Sequence, residues 1–163
     1  MKQITIITDG SCLGNGKKDA YGGWAAALVY KDHRKEIYGS DHDTTNNRME
    51  LTAVVQATKK LTLPCDILVV TDSVYVCNVI NGLQKWANNN WYTTGTNRPK
   101  NLDLVKALWT VLGNGKHQIR FQYVKGHAGD PDNERVDQLA RSSARALRAM
   151  DEARLRKAEE VNA

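Results

Sequence analysis

The feature that most constrains the fold is a continuous aliphatic run at residues 67–70, Ile-Leu-Val-Val. This run lacks the alternation of a half-buried strand and is typical of a central parallel strand covered on both faces. Residues 3–8 are predicted to form a second buried strand, because they become apolar after Gln3. A helical pattern separates the two strands, and a right-handed crossover would place them side by side and parallel.

The remaining elements predict one α/β domain with a five-stranded mixed sheet flanked by helices. Further strands are expected over residues 22–30, 35–39 and 117–124. Thr44-Thr45-Asn46 offers helix N-cap chemistry, and the helix that follows is expected to close at Pro64. Other helices are predicted to start at Ser73, Asn101 and Pro131.

Composition describes an ordinary globular chain. The 163 residues are 41% hydrophobic and 25% charged, and a net charge of +5 mildly favours a polyanionic partner. No apolar run is long enough to span a membrane, and no signal-peptide pattern follows Met1. Cys12, Cys65 and Cys77 are odd in number and lack Cys-x-x-Cys spacing, which indicates reduced thiols. We therefore expect a cytoplasmic monomer with no membrane partner.

Four carboxylates are predicted to meet at one edge of the sheet. Asp9 and Asp72 follow the two parallel strands, Glu50 begins the crossover helix, and Asp137 lies about two turns into the C-terminal helix. Taken singly, each has an ordinary interpretation as a turn residue, a first-turn charge or a helix cap. Converging carboxylates repel one another and require a cation, and oxygen ligands suit Mg²⁺, with Mn²⁺ as a substitute. Zinc would require His or Cys ligands.

The motifs around these carboxylates resemble those of the type 1 ribonuclease H family, the bacterial ribonuclease HI family. The resemblance spans roughly residues 3–145 and rests on five runs in matching order: Thr8-Asp9-Gly10-Ser11-Cys12, Asn46-Asn47-Arg48-Met49-Glu50-Leu51, Val70-Thr71-Asp72-Ser73, Lys125-Gly126-His127 and Asn133-Glu134-Arg135-Val136-Asp137. It implies a single-domain ribonuclease H-like fold. Residues 1–145 would form the catalytic domain and residues 146–163 a C-terminal helical tail.

The resemblance also implies an activity and its residues. The chain would be an endonuclease that hydrolyses the RNA strand of RNA–DNA hybrids with two metal ions, leaving a 5′-phosphate and a 3′-hydroxyl. Asp9 would bridge both ions, Asp137 would complete the side of the attacking water, and Glu50 and Asp72 would hold the ion near the leaving 3′ oxygen. His127 would be a mobile histidine that assists proton transfer or product release.

Substrate contacts are implied by the same resemblance. The matching positions are Gly10, Ser11, Cys12, Asn15, Thr45, Asn46, Asn47, Trp86 and Trp91, with Glu134 in a supporting role close to His127. Thr45 resembles a residue that binds a phosphate of the DNA strand. Residues 82–100 correspond to a basic protrusion of the family but carry only three cations, Lys85, Arg98 and Lys100. The two tryptophans are equally consistent with packing against their helix.

Two alternatives remain open from the sequence. Another nuclease of the same broad fold, such as a junction resolvase, shares the acidic crevice but not these motifs together with His127. A non-catalytic hybrid-binding module would be favoured by a missing carboxylate, and all four are present.

Overall fold

The structure, a computed structural model, describes residues 1–126 and 129–162. In chain order its elements are β1 (Lys2–Leu13), β2 (Tyr21–Tyr30), β3 (His33–His42), α1 (Asn46–Lys59), β4 (Cys65–Thr71), α2 (Val74–Asn88), α3 (Leu102–Val111), β5 (Gln118–Tyr123) and α4 (Pro131–Asn162). The five strands form one sheet in the order β3-β2-β1-β4-β5. The predicted mixed α/β architecture is confirmed.

The predicted crossover places β1 and β4 next to each other and parallel. Their pairing runs from Lys2 opposite Cys65 to Ile7 opposite Val70. Beyond Ile7, β1 is no longer paired with β4, but its antiparallel pairing with β2 continues as far as Leu13 opposite Tyr21. Asp9 therefore lies inside a strand, at the point where one neighbour has ended, rather than at a strand terminus.

Helices cover both faces of the sheet. Ile4 and Ile6 face a core formed with α1, α2 and α3, in which Leu51, Val76 and Val105 are each fully or almost fully buried. The opposite face is smaller and is covered by α4, with Ile7 and Ala27 against Val136 and Ala140. Adjacent residues of β1 thus point to different layers, as the pleat of a strand requires.

The close approach of α4 to the sheet depends on small residues. A Cβ at Gly23 would lie 1.9 Å from the carbonyl oxygen of Ala140 and 2.7 Å from the nitrogen of Ala144. Both alanines are fully buried. A substitution at Gly23 would therefore push α4 away from β2, together with the charged residues at the start of α4.

Some boundaries differ from the sequence prediction. The first helix ends at Lys59, before Pro64, because Lys60 donates its backbone N–H to the carbonyls of Ala57 and Thr58 and closes the last turn. The C-terminal helix is continuous across residue 145, and helix covers the described part of the predicted tail. Among the helices that the structure describes, none is both long and apolar enough to cross a membrane.

Candidate active site

Three carboxylates from three elements meet at the predicted edge of the sheet. Asp9 comes from β1, Glu50 from the second turn of α1, and Asp72 directly follows β4. One carboxyl oxygen of each lies within 4.8 Å of the corresponding oxygens of the other two. Asp9 and Glu50 are only 7% and 9% exposed, so this cluster is largely withdrawn from solvent.

Gly10 explains how Glu50 reaches Asp9. A Cβ at Gly10 would lie 2.4 Å from the backbone nitrogen of Glu50 and 2.9 Å from the Cβ of Met49. The absence of a side chain lets the first turns of α1 rest directly on β1. The Gly10 N–H donates to Asp9 Oδ1 at 2.9 Å and holds that carboxylate at the edge.

Asp72 is not the cap of the helix that follows it. Ser73 is the N-cap residue of α2, since its hydroxyl accepts the Val76 N–H at 3.1 Å. The Ser73 N–H in turn donates to Thr71 Oγ1 at 3.0 Å. Ser73 and Thr71 thus provide the contacts at this helix end, and a Cβ at Gly126 would lie 2.9 Å from the Oδ2 of Asp72.

The electrostatics of the cluster favour a bound cation. The pKa of Asp9 is raised to about 7, chiefly by burial and then by the Asp72 and Asp137 carboxylates, against opposing hydrogen bonds from Glu50 and Gly10. Burial, followed by repulsion from Asp9, raises the pKa of Glu50 well above its ordinary value. The Oε2 atom of Glu50 is buried and has no hydrogen-bond partner within the described chain. An all-oxygen donor set with an unused buried lone pair fits a hard divalent cation.

Asp137 approaches the cluster from the other layer. It lies in the seventh position of α4, next to the buried Val136. A small cavity of about 20 Å³ joins it to two members of the cluster, and its lining consists of Thr8, Asp9, Asp72, Asp130, Asn133, Glu134 and Asp137. The structure thus brings all four predicted carboxylates to one place and sets Glu134 in the wall of the same cavity. His127 lies outside the described residues.

Five of the predicted substrate-binding positions lie around the beginning of α1: Gly10, Asn15, Thr45, Asn46 and Asn47. A groove of about 600 Å³ is lined by Asn15, Gly16, Thr45, Asn46, Asn47, Lys100 and Asn101. The Asn15 side chain accepts the Asn46 N–H at 2.8 Å, and Thr45 Oγ1 caps the helix by accepting the Arg48 N–H at 3.2 Å. Gly10, next to Asp9 on β1, joins this groove to the carboxylates by its contact with α1.

Of the other four predicted contact residues, the two tryptophans are engaged in packing. Trp86 and Trp91 both lie against the larger core, and Trp91 meets Trp109 edge to face with ring centroids 6.3 Å apart. The Cys12 thiol is directed at the carbonyl oxygen of Thr44, at 3.5 Å. Ser11 occupies the end of β1 opposite Gly23. A contact of these four residues with nucleic acid stays a prediction.

Sequence reasoning did not place Lys100, Asn101 or Arg141 in this region, although Lys100 is one of the three cations of residues 82–100. Lys100 and Asn101 line the groove beside Asn15, although they are remote in sequence and no local pattern marks them. Arg141 forms an ion pair with Asp137. Its position four residues after an acidic residue on a helix was a usable signal for that pair.

Comparison with known proteins finds close sequence relatives of one family. A sequence model of the family described as RNase H matches residues 1–145. The Ribonuclease H of Bartonella quintana is 48% identical over 143 residues, which cover 87% of this chain and 89% of that protein. The Ribonuclease H of Zymomonas mobilis is 46% identical over 153 residues, covering 93% and 95%.

Solved structures show the same fold. The crystal structure of LC9-RNase H1, a type 1 RNase H with the type 2 active-site motif, aligns with a TM-score of 0.76 and 27% identity, over 90% of this chain and 74% of that chain. The solution structure of the PFV RNase H domain aligns with a TM-score of 0.70 and 25% identity, over 90% and 96%.

Proposed function

The chain belongs to the ribonuclease H family, and on that premise we propose that Asp9, Glu50, Asp72 and Asp137 are its catalytic carboxylates. It is an endonuclease that hydrolyses the RNA strand of RNA–DNA hybrids. The observation that carries the residue assignment is the convergence of Asp9, Glu50 and Asp72 within 4.8 Å, with an unused oxygen on Glu50.

The enzyme depends on divalent metal, and we propose Mg²⁺ as the ion, two per site with substrate bound, with Mn²⁺ as a substitute. Asp9 would contribute to both ion sites, Glu50 and Asp72 to one, and Asp137 to the other. The chemistry supplied when the ions are bound is activation of a water on one side of the phosphodiester and stabilisation of the leaving oxygen on the other. Hydrolysis breaks the bond between phosphorus and the 3′ oxygen and leaves a 5′-phosphate and a 3′-hydroxyl.

His127 is proposed to assist proton transfer or product release. It follows Gly126, which comes close to Asp72. A variant His127→Ala should turn over more slowly by about 10²- to 10⁴-fold without becoming inactive, since the carboxylates stay in place. Activity equal to that of the parent, or complete loss, would contradict this role.

The groove at the start of α1 is proposed to hold the hybrid. Its lining offers the amides of Asn15, Asn46 and Asn47 and the charge of Lys100. Amides donate and accept hydrogen bonds, so they can contact a sugar 2′-hydroxyl as well as a backbone phosphate. Thr45, at the N-terminus of α1, lies where an anion such as a DNA-strand phosphate is favoured.

The proposal extends to the compartment, the oligomeric state and the domain bounds of the enzyme. We place the enzyme in the cytoplasm as a monomer, with residues 1–145 as the catalytic domain and residues 146–163 as a tail. The family match ends at residue 145. Cys12, Cys65 and Cys77 are free thiols, as a reducing compartment favours.

The test is cleavage of three labelled substrates, an RNA–DNA hybrid, double-stranded RNA and double-stranded DNA, each with and without Mg²⁺. We expect cleavage of the RNA strand of the hybrid alone, and only with the metal. Product ends are read by their response to phosphatase and to ligase. Binding of the hybrid without cleavage under any metal would favour the non-catalytic module instead.

A further inference from the structure

Asp137 has a basic partner that competes for its oxygens. Arg141, four residues later on α4, donates from Nε to Asp137 Oδ1 at 3.2 Å, and its Nη2 lies 3.1 Å from Oδ2. One guanidinium therefore engages both carboxylate oxygens, in the two-pronged geometry that favours arginine over lysine. A cation that binds Asp137 therefore meets a carboxylate whose two oxygens are already engaged by a positive charge.

The helix keeps Arg141 permanently within reach of Asp137. The residues that flank the pair, Val136 and Ala140, are 1% and 0% exposed and pack against the sheet. The backbone between the two charges is therefore held, and only the side chains can rearrange. At 25% exposure for Asp137 and 46% for Arg141, the pair is partly screened by solvent, so its effect is modest.

A displaced guanidinium has space beside the cluster. A groove of about 510 Å³ adjoins Asp137 on the outer side of α4, and Arg141 itself lines it together with Arg145 and Gln138. Arg141 can therefore leave Asp137 by side-chain rotation alone, without movement of α4.

We propose that Arg141 is a positioning residue that competes with the divalent cation for Asp137 and lowers the affinity of that half of the site. This inference rests on the proposed role of Asp137 as a metal ligand. In the metal-free protein Arg141 neutralises Asp137, and cation binding transfers the carboxylate from the guanidinium to the ion.

The experiment is a calorimetric Mn²⁺ titration of the full-length protein without nucleic acid. Arg141→Ala should bind Mn²⁺ about two- to fivefold more tightly at the ion site that includes Asp137, which corresponds to the loss of one partly exposed ion pair. Arg141→Lys, which keeps the charge but loses the fork, should fall between the parent and Arg141→Ala. Circular dichroism and thermal unfolding establish that each variant is folded.

Two controls distinguish the effect of the Arg141–Asp137 contact on Mn²⁺ affinity from the effect of any nearby positive charge. Arg145 lies one turn further along α4, is exposed, and forms no hydrogen bond or ion pair within the described part of the chain. Arg145→Ala removes the same charge without touching Asp137 and should leave Mn²⁺ affinity within error. In an Asp137→Asn background, Arg141→Ala should have no further effect, since no contact remains to be removed.

The outcomes are distinguishable. Unchanged or weaker Mn²⁺ binding by Arg141→Ala, or equal tightening by Arg145→Ala, would overturn the competition. Asp137→Asn that keeps both Mn²⁺ binding and hybrid cleavage would instead contradict the ligand role of Asp137.

Discussion

At the scale of single residues, the site is a set of acids whose ionisation opposes folding. The pKa of Asp9 is raised to about 7, first by burial, and that of Glu50 is raised in the same direction. The folded protein therefore retains protons that the unfolded chain has already lost. The free energy of unfolding of the metal-free protein should fall as the pH rises from about 4 to about 7.

Asp9→Asn should remove much of this pH dependence. Above the raised pKa of Asp9, the metal-free variant should be more stable than the parent by about 1 kcal/mol or more, because a buried charge beside two others is gone. Urea unfolding in a chelator between about pH 4 and about pH 8 measures the effect. Parallel stability curves for parent and variant would show that Asp9 is not in the repulsive cluster.

At the scale of elements, the beginning of α4 is fixed to the edge of the sheet by an ion-pair network. Arg135 donates to Glu36 of β3 from Nε and Nη2, both at 3.1 Å. Arg34 contacts the same Glu36 and also Asp132. The hydrogen bond from Arg135 is the main cause that lowers the pKa of Glu36. Because Asp137 follows two residues after Arg135, this network locates the fourth carboxylate.

Glu36→Gln should destabilise the protein by roughly 0.5–1 kcal/mol at low salt and by less at high salt, since the pairs are partly exposed. Because the pKa of Glu36 is lowered, the stabilisation by its ion pairs is fully present above the ordinary pKa of Glu36. It disappears as the pH falls through the lowered pKa. The matched control is Asp66→Asn, whose side chain has similar exposure and, among the residues that the structure describes, one ion pair, with Arg120 at 3.6 Å. Equal losses for the two variants would show that the network has no special effect.

Local pattern and topology together made the core of the site predictable. The aliphatic run at 67–70 and the strand before Asp9 implied parallel neighbours, and the carboxyl ends of such strands meet. The continuation of β1 past Asp9 depends on pairing with β2, which is remote in sequence, so its length was underestimated. The placement of Trp91 against Trp109 likewise depends on a tertiary contact that no local pattern reveals.

At the scale of the whole molecule, affinity for the hybrid depends on how many cations face its phosphates. The segment 82–100 carries three cations, and one of them, Arg98, is engaged over the Tyr92 ring at 4.2 Å from its centroid. Each neutralised phosphate contributes roughly 0.9 to the slope of log affinity against log salt for duplex DNA. We therefore expect the affinity of this protein for the hybrid to fall only slowly with increasing salt.

Adding lysines to the exposed face of α2 tests that expectation. Asn81 and Asn88 are exposed and flank Lys85 at helical spacing, so Asn81→Lys with Asn88→Lys extends its charge along one face. We expect tighter hybrid binding, a slope steeper by up to about 1.8, and a nearly unchanged rate at saturating substrate. Affinities and steady-state rates across a salt series provide the measurement.

The control for that variant places the same two charges elsewhere. Thr62 and Leu63 are exposed and precede β4, at the opposite end of the sheet from the carboxylates. Thr62→Lys with Leu63→Lys should leave the slope close to that of the parent. If the α2 variant behaved like this control, the segment would not meet the phosphate backbone.

The most direct test of the account is hybrid cleavage by Asp9→Asn in saturating Mg²⁺. Asp9 lies at the centre of the carboxylate cluster and is proposed to contribute to both ion sites, so its replacement should abolish cleavage while the fold and hybrid binding persist. Added Mg²⁺ should also stabilise the parent against unfolding more than the variant. Cleavage of the RNA strand by folded, pure Asp9→Asn protein at a rate near that of the parent would contradict the assignment of the site.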